Sequence, residues 1–481
     1  MRLPGRITRR TRRTLSYFAV GVLVAAAAIA LALVVTPMQD TTVAGEEIGV
    51  GAAAPTLSLS GPGEVDLFGQ RLPTTLDFAG PVRPRLALAH ITLDRQLASM
   101  FEPGHRTQPA QVAIGHALAA AWTRYFVWEA CITGAAALLL TGALCGWARF
   151  PLKKTLALLA VGLALAEVAD LGGIMVTAYT APARLAQVGS LTGLVGQAPL
   201  PTVAKLTGPE KNKVQAVVLG DSTAAALGNP LVAHATAQDR ACRRSGDAYA
   251  ADLAAVNDWD VLNLACSGAT IQDGILGPQQ AGGVTVPAQL AQARQATNAR
   301  LVIVSIGAND VGWSGLVGLC AAARSCADSA STAYFQQSLN TFASHYYQLL
   351  EQLSTLPSRP QVLINLYYNP FDTGQNCLAG HGLDAAKENT LIKLLDALNQ
   401  VLSNGATAAA QIPVQPDFTG HGLCDAAPYV QGVGDPAPFH PTAAGELAIA
   451  LADEQALRQA QGTPGGSSPA VPVTPSPDQS G

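Results

Sequence analysis

The amino-acid sequence predicts an α/β domain with a parallel five-stranded sheet, preceded by three transmembrane helices. Two patterns carry this prediction. In residues 211–461, five short apolar runs alternate with helical stretches. Such alternation is typical of right-handed βαβ units with helices on both faces of the sheet. In residues 1–210, three apolar runs are each long enough to cross a bilayer.

The first apolar run, residues 15–36, is predicted to be an uncleaved transmembrane helix. Residues 1–14 before it carry six arginines and no acidic residue, so we expect them to lie in the cytoplasm. A cleaved signal peptide is the alternative. Its apolar region would be shorter, and its cleavage site would not be followed by more apolar residues.

Two further transmembrane helices are expected at residues 126–147 and 156–179. The loop between them, residues 148–155, holds Arg149, Lys153 and Lys154, and is expected to be cytoplasmic. Residues 37–125 then form an extracytoplasmic segment that is partly β, and everything after Tyr179 lies outside the cytoplasm. The predicted location is therefore the plasma membrane, with several spans.

The α/β domain is expected to begin after a Gly/Pro-punctuated linker at residues 180–210 and to occupy residues 211–461. Residues 462–481 are rich in Pro, Ser and Gly and are predicted to be disordered. The strands of the domain are expected at residues 214–219, 261–264, 301–306, 362–366 and 412–414. Helices are expected around residues 249–256, 287–297, 334–356, 383–409 and 443–459.

Charge and cysteine content exclude some functions. The formal net charge is -4 and no basic stripe is present, which argues against a nucleic-acid partner. Six of the eight cysteines lie in the α/β domain, as expected in an oxidising compartment, and no Cys-x-x-Cys spacing indicates a metal site. Of the fifteen possible pairings, the simplest joins neighbours in order. It gives the disulfides Cys242–Cys266, Cys320–Cys326 and Cys377–Cys424.

The first strand of the domain leads into the motif Gly220-Asp221-Ser222, and an Ala-rich helix is expected after it. Ser222 would then lie at the carboxyl end of a strand and the amino end of a helix. Open α/β sheets bind ligands at that place, and helix N–H groups favour negative charge there. Taken alone, the motif is equally typical of an ordinary turn with a serine helix cap.

Three later motifs give the serine its context. Gly268 follows the second strand, Asn309 follows the third, and His440 precedes the last helix within Phe439-His440-Pro441-Thr442. With Ser222 these motifs form, in order, the four blocks of the SGNH (GDSL-type) hydrolases. The sequence resembles that family over about residues 211–460, and the cysteines around the second strand are most similar to those of secreted actinobacterial lipases and esterases.

The resemblance implies a flavodoxin-like sheet, called the SGNH fold, and a serine esterase that needs no metal or organic cofactor. In this family Ser222 would be the nucleophile and His440 its base. The oxyanion hole would consist of the backbone N–H groups of Ser222 and Gly268 and the side-chain amide of Asn309.

The sequence departs from the family pattern at the third member of the catalytic triad. The family's acid lies three positions before the histidine, where this chain has Ala437. The nearest acid is Asp435, and the prolines at 436 and 438 could extend the loop enough for it to reach the imidazole. We expect Asp435 to orient His440. In the alternative, a backbone carbonyl does so and leaves a Ser–His dyad.

These expectations combine into a membrane-anchored extracytoplasmic serine esterase or lipase that hydrolyses lipids or acylated glycans of the cell envelope. One alternative is an O-acyltransferase that uses the same serine and histidine, since the choice between water and a sugar hydroxyl depends on the acceptor site. The other is a non-catalytic envelope-binding module. The presence of all four blocks argues against the binding module.

Overall fold

The computed structural model describes residues 9–43, 46–56, 58–91, 108–188, 194–195, 211–371 and 376–462. The beginning of the basic segment, most of the expected linker at 180–210 and the tail from residue 463 lie outside the described residues. Within the described part, an N-terminal region of long helices and one sheet is followed by an α/β domain.

Among its described residues, the N-terminal region contains three long helices and five strands. The first helix is α1 (Arg9–Val35). The strands follow, and after them come helices α2 (Gln108–Trp147) and α3 (Leu152–Leu185). The strands are β1 (Gln39–Val43), β2 (Glu46–Ala52), β3 (Ser60–Leu67), β4 (Gln70–Ala79) and β5 (Pro84–Ile91).

The three long helices pack against one another through small residues. Ala28 on α1, Ala137 on α2 and Ala166 on α3 are fully buried in one cluster. Small side chains let helix backbones approach closely, which is how helices associate in membranes.

Two segments within the described residues are long and apolar enough to span a membrane. They are Phe18–Val35 in α1 and Gly115–Trp147 in α2. This rests on length and composition, and a signal sequence near the N-terminus would pass the same test. The third expected span, in α3, does not pass it among the described residues, so the three-span arrangement stays a prediction.

The five strands of the N-terminal region form a sheet in the order β1-β2-β5-β3-β4. Its pairs are antiparallel except for β3 with β5. One face packs on the beginning of α2, where Leu118 and Trp122 are buried, and on Leu185 at the end of α3. The sheet therefore caps the ends of these two helices.

The α/β domain contains seven strands and seven α-helices among the described residues. In chain order they are β6 (Ala216–Gly220), α4 (Ala237–Cys242), α5 (Tyr249–Asn257), β7 (Val261–Asn263), β8 (Gln279–Ala281), β9 (Val284–Val286), α6 (Gln289–Ala293), β10 (Leu301–Ser305), α7 (Trp313–Ala322), α8 (Ser329–Ser354), β11 (Gln361–Asn365), α9 (Ala385–Ala408), β12 (Ile412–Val414) and α10 (Ala443–Gly462).

Five of these strands form a parallel sheet in the order β12-β11-β10-β6-β7. The first strand of the domain thus lies between the second and the third, which is the flavodoxin-like order. Every residue of β6 and β10 is buried. Val217 and Val302 pack in the core on one face, and Val218 and Ile303 pack in the core on the other. Burial on both faces explains why these strands are continuous apolar runs.

A hairpin of the N-terminal sheet packs onto the α/β domain. Between β3 and β4, Phe68 and Gly69 both have positive φ, 58° and 93°, as the tightest hairpin turns require. The buried ring of Phe68 lies 5.7 Å from the ring of Tyr346 on α8, centre to centre. The Asn404 amide on α9 donates to the Phe68 carbonyl at 2.9 Å. This turn ties the N-terminal sheet to helices α8 and α9 of the α/β domain.

Candidate active site

The four blocks meet at the carboxyl edge of the parallel sheet. Ser222 lies two residues after β6, Gly268 follows β7 and Asn309 follows β10. Strands β6 and β10 are neighbours although their connections leave in opposite directions along the sheet, and parallel sheets bind ligands at such a switch point. His440 reaches the same edge from the loop before α10.

The chain after Ser222 forms turns, and the helix expected there is absent from residues 221–230. The Leu227 N–H donates to the Ser222 carbonyl at 3.0 Å, a bond that spans five residues where an α-helix spans four. Ala226 adopts a left-handed conformation, with a φ of 55°, so the turns do not continue as a helix. The expectation that a helix dipole acts on Ser222 is therefore wrong.

Gly220 fixes the start of this turn by its close approach to β10. A Cβ at Gly220 would lie 2.4 Å from the Ser305 carbonyl oxygen, so a larger residue would force the strands apart. The buried amide of Gln289 accepts from the Gly220 N–H at 2.8 Å and donates to the Gly220 carbonyl at 2.9 Å. The backbone that carries Ser222 is thus held on both sides.

His440 is hydrogen-bonded to the serine. Its Nε2 lies 2.8 Å from Ser222 Oγ, and its Nδ1 lies 3.1 Å from the Pro438 carbonyl oxygen. Because a carbonyl can only accept, Nδ1 carries the proton and Nε2 is the acceptor for the serine O–H. This is the arrangement that a general base beside a serine nucleophile requires.

The loop of His440 is attached to the turn of Ser222 through Gln431. The Gln431 N–H donates to the His440 carbonyl at 2.7 Å, and the Phe439 N–H donates to the Gln431 carbonyl at 3.0 Å. The Gln431 side-chain amide donates to the Leu227 carbonyl at 2.7 Å. One glutamine therefore bridges the two loops that hold the nucleophile and its base.

Asp435 does not orient His440, so that expectation is wrong. Its Oδ2 accepts from the Gly432 N–H at 2.7 Å, and its own N–H donates to the Gly432 carbonyl at 3.0 Å. The carboxylate closes a local turn against its own backbone, and the two prolines do not extend it to the imidazole. The carbonyl of Pro438 occupies the place of the triad acid.

The loops after β7 and β10 are joined to each other. The Asn309 amide donates to the Ala269 carbonyl at 2.9 Å, and the Asp310 carboxylate accepts from the Ile271 N–H at 3.1 Å. Gly268 has a φ of +82°, a conformation that side chains disfavour. This bond uses one of the two side-chain amide N–H groups of Asn309, and the second could donate to a substrate oxyanion. The expected oxyanion role of Asn309 stays a prediction.

Two buried carboxyl groups surround the serine without reaching the histidine nitrogen atoms. Burial raises the pKa of Asp221, while the hydroxyl of Tyr367 and the N–H of Thr223, which donate at 2.6 and 2.9 Å, act in the opposite direction. Burial also raises the pKa of Asp310 to about 7, and the charge of Asp221 adds to that effect. Both acids are hydrogen-bond acceptors of their loops.

A cavity of about 500 Å³ opens onto the serine and histidine. Ser222, Asn309 and His440 line one side of it. The remaining walls are mostly apolar and include Trp313, Val317, Leu395 and Leu398. An apolar cavity with a few convergent polar groups is the usual form of a small-molecule site.

Three disulfides lie in this domain, and they join the cysteines in the expected order. They are Cys242–Cys266, Cys320–Cys326 and Cys377–Cys424. The first fixes the end of α4 to the loop that carries Gly268. Among the described residues, no group of three or more His, Cys, Asp or Glu side chains is placed to hold a metal ion.

Four residues around the site do not appear among the sequence-based candidates: Gln289, Tyr367, Tyr368 and Gln431. The two tyrosines follow directly after the fourth predicted strand, residues 362–366, at the same sheet edge as the motifs. Their position at the end of a predicted strand could therefore have marked them as candidate site residues. Gln289 lies in a predicted helix and Gln431 lies outside the predicted elements, and neither belongs to a recognisable motif.

Comparison with known proteins relates the α/β domain to lipases and acylhydrolases. Residues 218–448 match the model of the GDSL-like lipase/acylhydrolase family. Lipase 1 of Streptomyces coelicolor is 29% identical over 245 residues, which cover 48% of this chain and 81% of that lipase. A lipase of Streptomyces rimosus is 28% identical over 252 residues, which cover 50% of this chain and 86% of that protein.

Among solved structures, the extracellular lipase from Streptomyces rimosus matches with 24% identity and a TM-score of 0.42, covering 51% of this chain and 99% of its own. Phospholipase A1 from Streptomyces albidoflavus matches with 24% identity and a TM-score of 0.37, covering 51% and 98%. The family match over residues 218–448 includes all four blocks. Through residues 218–448 the chain is similar to the GDSL-like lipase/acylhydrolase family, and these relatives support a serine ester hydrolase.

Proposed function

We propose that the protein is a membrane-anchored, extracytoplasmic esterase that cleaves carboxylic esters of lipids or acylated envelope glycans with a Ser222–His440 dyad. The observation that carries the proposal is the 2.8 Å contact between His440 Nε2 and Ser222 Oγ at the mouth of an apolar cavity. This contact and the cavity support the assignment of a nucleophile, a base and a place for an acyl group.

The reaction begins when Ser222 Oγ attacks the ester carbonyl carbon and His440 Nε2 takes the hydroxyl proton. The Pro438 carbonyl keeps the imidazole in the tautomer that can accept this proton. His440 then gives the proton to the departing alcohol, which leaves an acyl group on Ser222. In the second half His440 takes a proton from a water molecule, whose oxygen attacks the acyl carbon. The bond from that carbon to Ser222 Oγ then breaks, His440 returns the proton to Ser222 Oγ, and the acid leaves.

The oxyanion that forms on the substrate carbonyl needs hydrogen-bond donors. We assign this role to the backbone N–H groups of Ser222 and Gly268 and to the free amide N–H of Asn309. None of these donors must lose or gain a proton to act. In serine hydrolases the loss of one such donor raises the barrier by about 3 kcal/mol.

The substrate class follows from the cavity. Its walls of Trp313, Val317, Leu395 and Leu398 suit an apolar acyl chain better than a charged or sugar group. The two relatives named lipases, of Streptomyces coelicolor and Streptomyces rimosus, support this choice. The apolar helices α1 and α2 and the three disulfides support a site that is held at a membrane on its oxidising side.

The proposal is tested by measuring hydrolysis of p-nitrophenyl esters of increasing chain length by the full chain. We expect Ser222→Ala and His440→Ala each to lower kcat by at least about 10³-fold. Matched controls are Ser329→Ala and His381→Ala, which change the same residue types at exposed positions away from the cavity. Hydrolysis that survives in Ser222→Ala would refute the assignment, and an inactive, folded wild type would favour the binding module.

A further inference from the structure

Two consecutive tyrosines follow β11 and point into opposite halves of the domain. Tyr367 belongs to the core on one face of the parallel sheet, and Tyr368 belongs to the core on the other face. Both are buried, with exposures of 8% and 6%, and both also border the cavity of the site. Their hydroxyl groups therefore reach different loops.

The hydroxyl of Tyr367 joins the loop of the nucleophile to the loop of Asn309. It donates to Asp221 Oδ2 at 2.6 Å and accepts from the Ala308 N–H at 2.9 Å. Asp221 directly precedes Ser222, and Ala308 directly precedes Asn309. A single oxygen atom thus bridges these two loops by hydrogen bonds.

The backbone of Tyr367 is itself fixed. Asn399 on α9 accepts from the Tyr367 N–H at 2.8 Å and donates to the Tyr367 carbonyl at 2.7 Å. A tyrosine with a clamped backbone and a hydroxyl bonded on both sides is a rigid spacer between α9 and the site.

The hydroxyl of Tyr368 reaches the third loop. It donates to the Phe439 carbonyl at 2.8 Å, directly before His440. Phe439 has a φ of 67°, which bulky residues adopt only when their surroundings impose it. The ring of Tyr368 stacks on Phe418 with 4.3 Å between centres, so its position is fixed as well.

We propose that Tyr367 and Tyr368 are positioning residues that align the loops of Ser222, Asn309 and His440 with one another. Buried tyrosine hydroxyls usually have some partner. Here every partner is the immediate neighbour of a group to which the proposed function gives a role. The inference rests on that function, because alignment matters only if the three groups act on one carbonyl. A displacement of about 1 Å at such a site can cost about 100-fold in rate.

The test compares Tyr367→Phe and Tyr368→Phe with Tyr346→Phe. Tyr346 is a fully buried tyrosine whose hydroxyl donates to the Leu402 carbonyl at 3.0 Å, between α8 and α9. All three variants lose one buried hydroxyl, so similar falls in Tm are expected. We expect kcat to fall about 10- to 100-fold in the first two variants, with KM nearly unchanged, and to change less than about twofold in Tyr346→Phe.

Double variants show whether each hydroxyl acts through its bonded partner. The effects of Tyr367→Phe and Asp221→Ala should be less than multiplicative, because each removes the hydrogen bond between the Tyr367 hydroxyl and the Asp221 carboxylate. The effects of Tyr367→Phe and Tyr368→Phe should be closer to multiplicative, because the two hydroxyls have no hydrogen-bond partner residue in common. Equal kcat in the wild type and both single tyrosine variants would overturn the inference while leaving the proposed function intact.

Crystal structures of the same variants give a readout that does not depend on activity. In Tyr368→Phe the distance between Ser222 Oγ and His440 Nε2 should lengthen, and in Tyr367→Phe the Asn309 loop should move relative to Ser222. Unchanged loops in both variants would contradict the positioning role even if the wild type hydrolysed no ester.

Discussion

At the scale of single residues, the distinguishing feature of the site is the hydrogen-bond acceptor of His440 Nδ1, which is a backbone carbonyl and not a carboxylate. A carboxylate there would stabilise the imidazolium by charge as well as by orientation, and a charge-assisted hydrogen bond is about twice as strong as a neutral one. The Pro438 carbonyl at 3.1 Å provides orientation with only its dipole. In the proposed reaction, the imidazolium would therefore depend more on the rest of the site for its stabilisation.

The variant Asp435→Asn tests whether the Asp435 carboxylate takes part in orienting His440. The asparagine keeps an oxygen that can accept from the Gly432 N–H, so the local turn should survive. Because the side chain does not reach the imidazole, we expect kcat to fall less than about tenfold, where loss of a triad acid costs about 10⁴-fold. Steady-state kinetics with a p-nitrophenyl ester gives the answer. A loss near the larger value would return Asp435 to the triad.

At the scale of elements, the strands could be predicted from sequence more securely than the segments that join them. The runs at 214–219 and 301–306 are apolar because β6 and β10 are buried on both faces, and that pattern is local. The stretch after Ser222 is rich in alanine and still forms turns. Its conformation is set by contacts with the distant Gln431 and Gln289, which no local pattern reveals.

The contrast between local patterns and contacts with distant residues also explains which site residues could be predicted from the sequence. Ser222, Gly268, Asn309 and His440 lie within recognisable motifs at strand ends or before a helix. Asp435 was predicted by its distance along the chain from His440, and that distance does not determine where a carboxylate points. The orienting carbonyl belongs to the backbone, so it has no signature in the sequence.

At the scale of the whole molecule, the N-terminal sheet connects the long helices to the hydrolase domain. It packs on Trp122 and Leu185 at the ends of α2 and α3, and its hairpin at Phe68 packs on α8 and α9. A continuous series of packed elements therefore leads from the candidate spans to the domain that carries the site. Such packing would hold the cavity at a fixed position relative to a membrane.

The membrane arrangement predicts which side of the membrane the site occupies. A reporter enzyme that works only outside the cytoplasm, fused after Gln461, should be active in cells, because three spans with basic residues inside place the domain outside. The matched fusion after Lys154, in the loop between α2 and α3, should be inactive. An active fusion after Lys154 together with an inactive fusion after Gln461 would show that the orientation is opposite to the predicted one.

The central claim is that Ser222 is the nucleophile that His440 activates. Its most direct test is to treat the purified full chain with a fluorophosphonate, which reacts with activated serines, and to locate the adduct by peptide mass spectrometry. We predict one adduct on the peptide that contains Ser222, and none on it in His440→Ala. An adduct on another serine, or no adduct on the folded wild-type protein, would contradict the account.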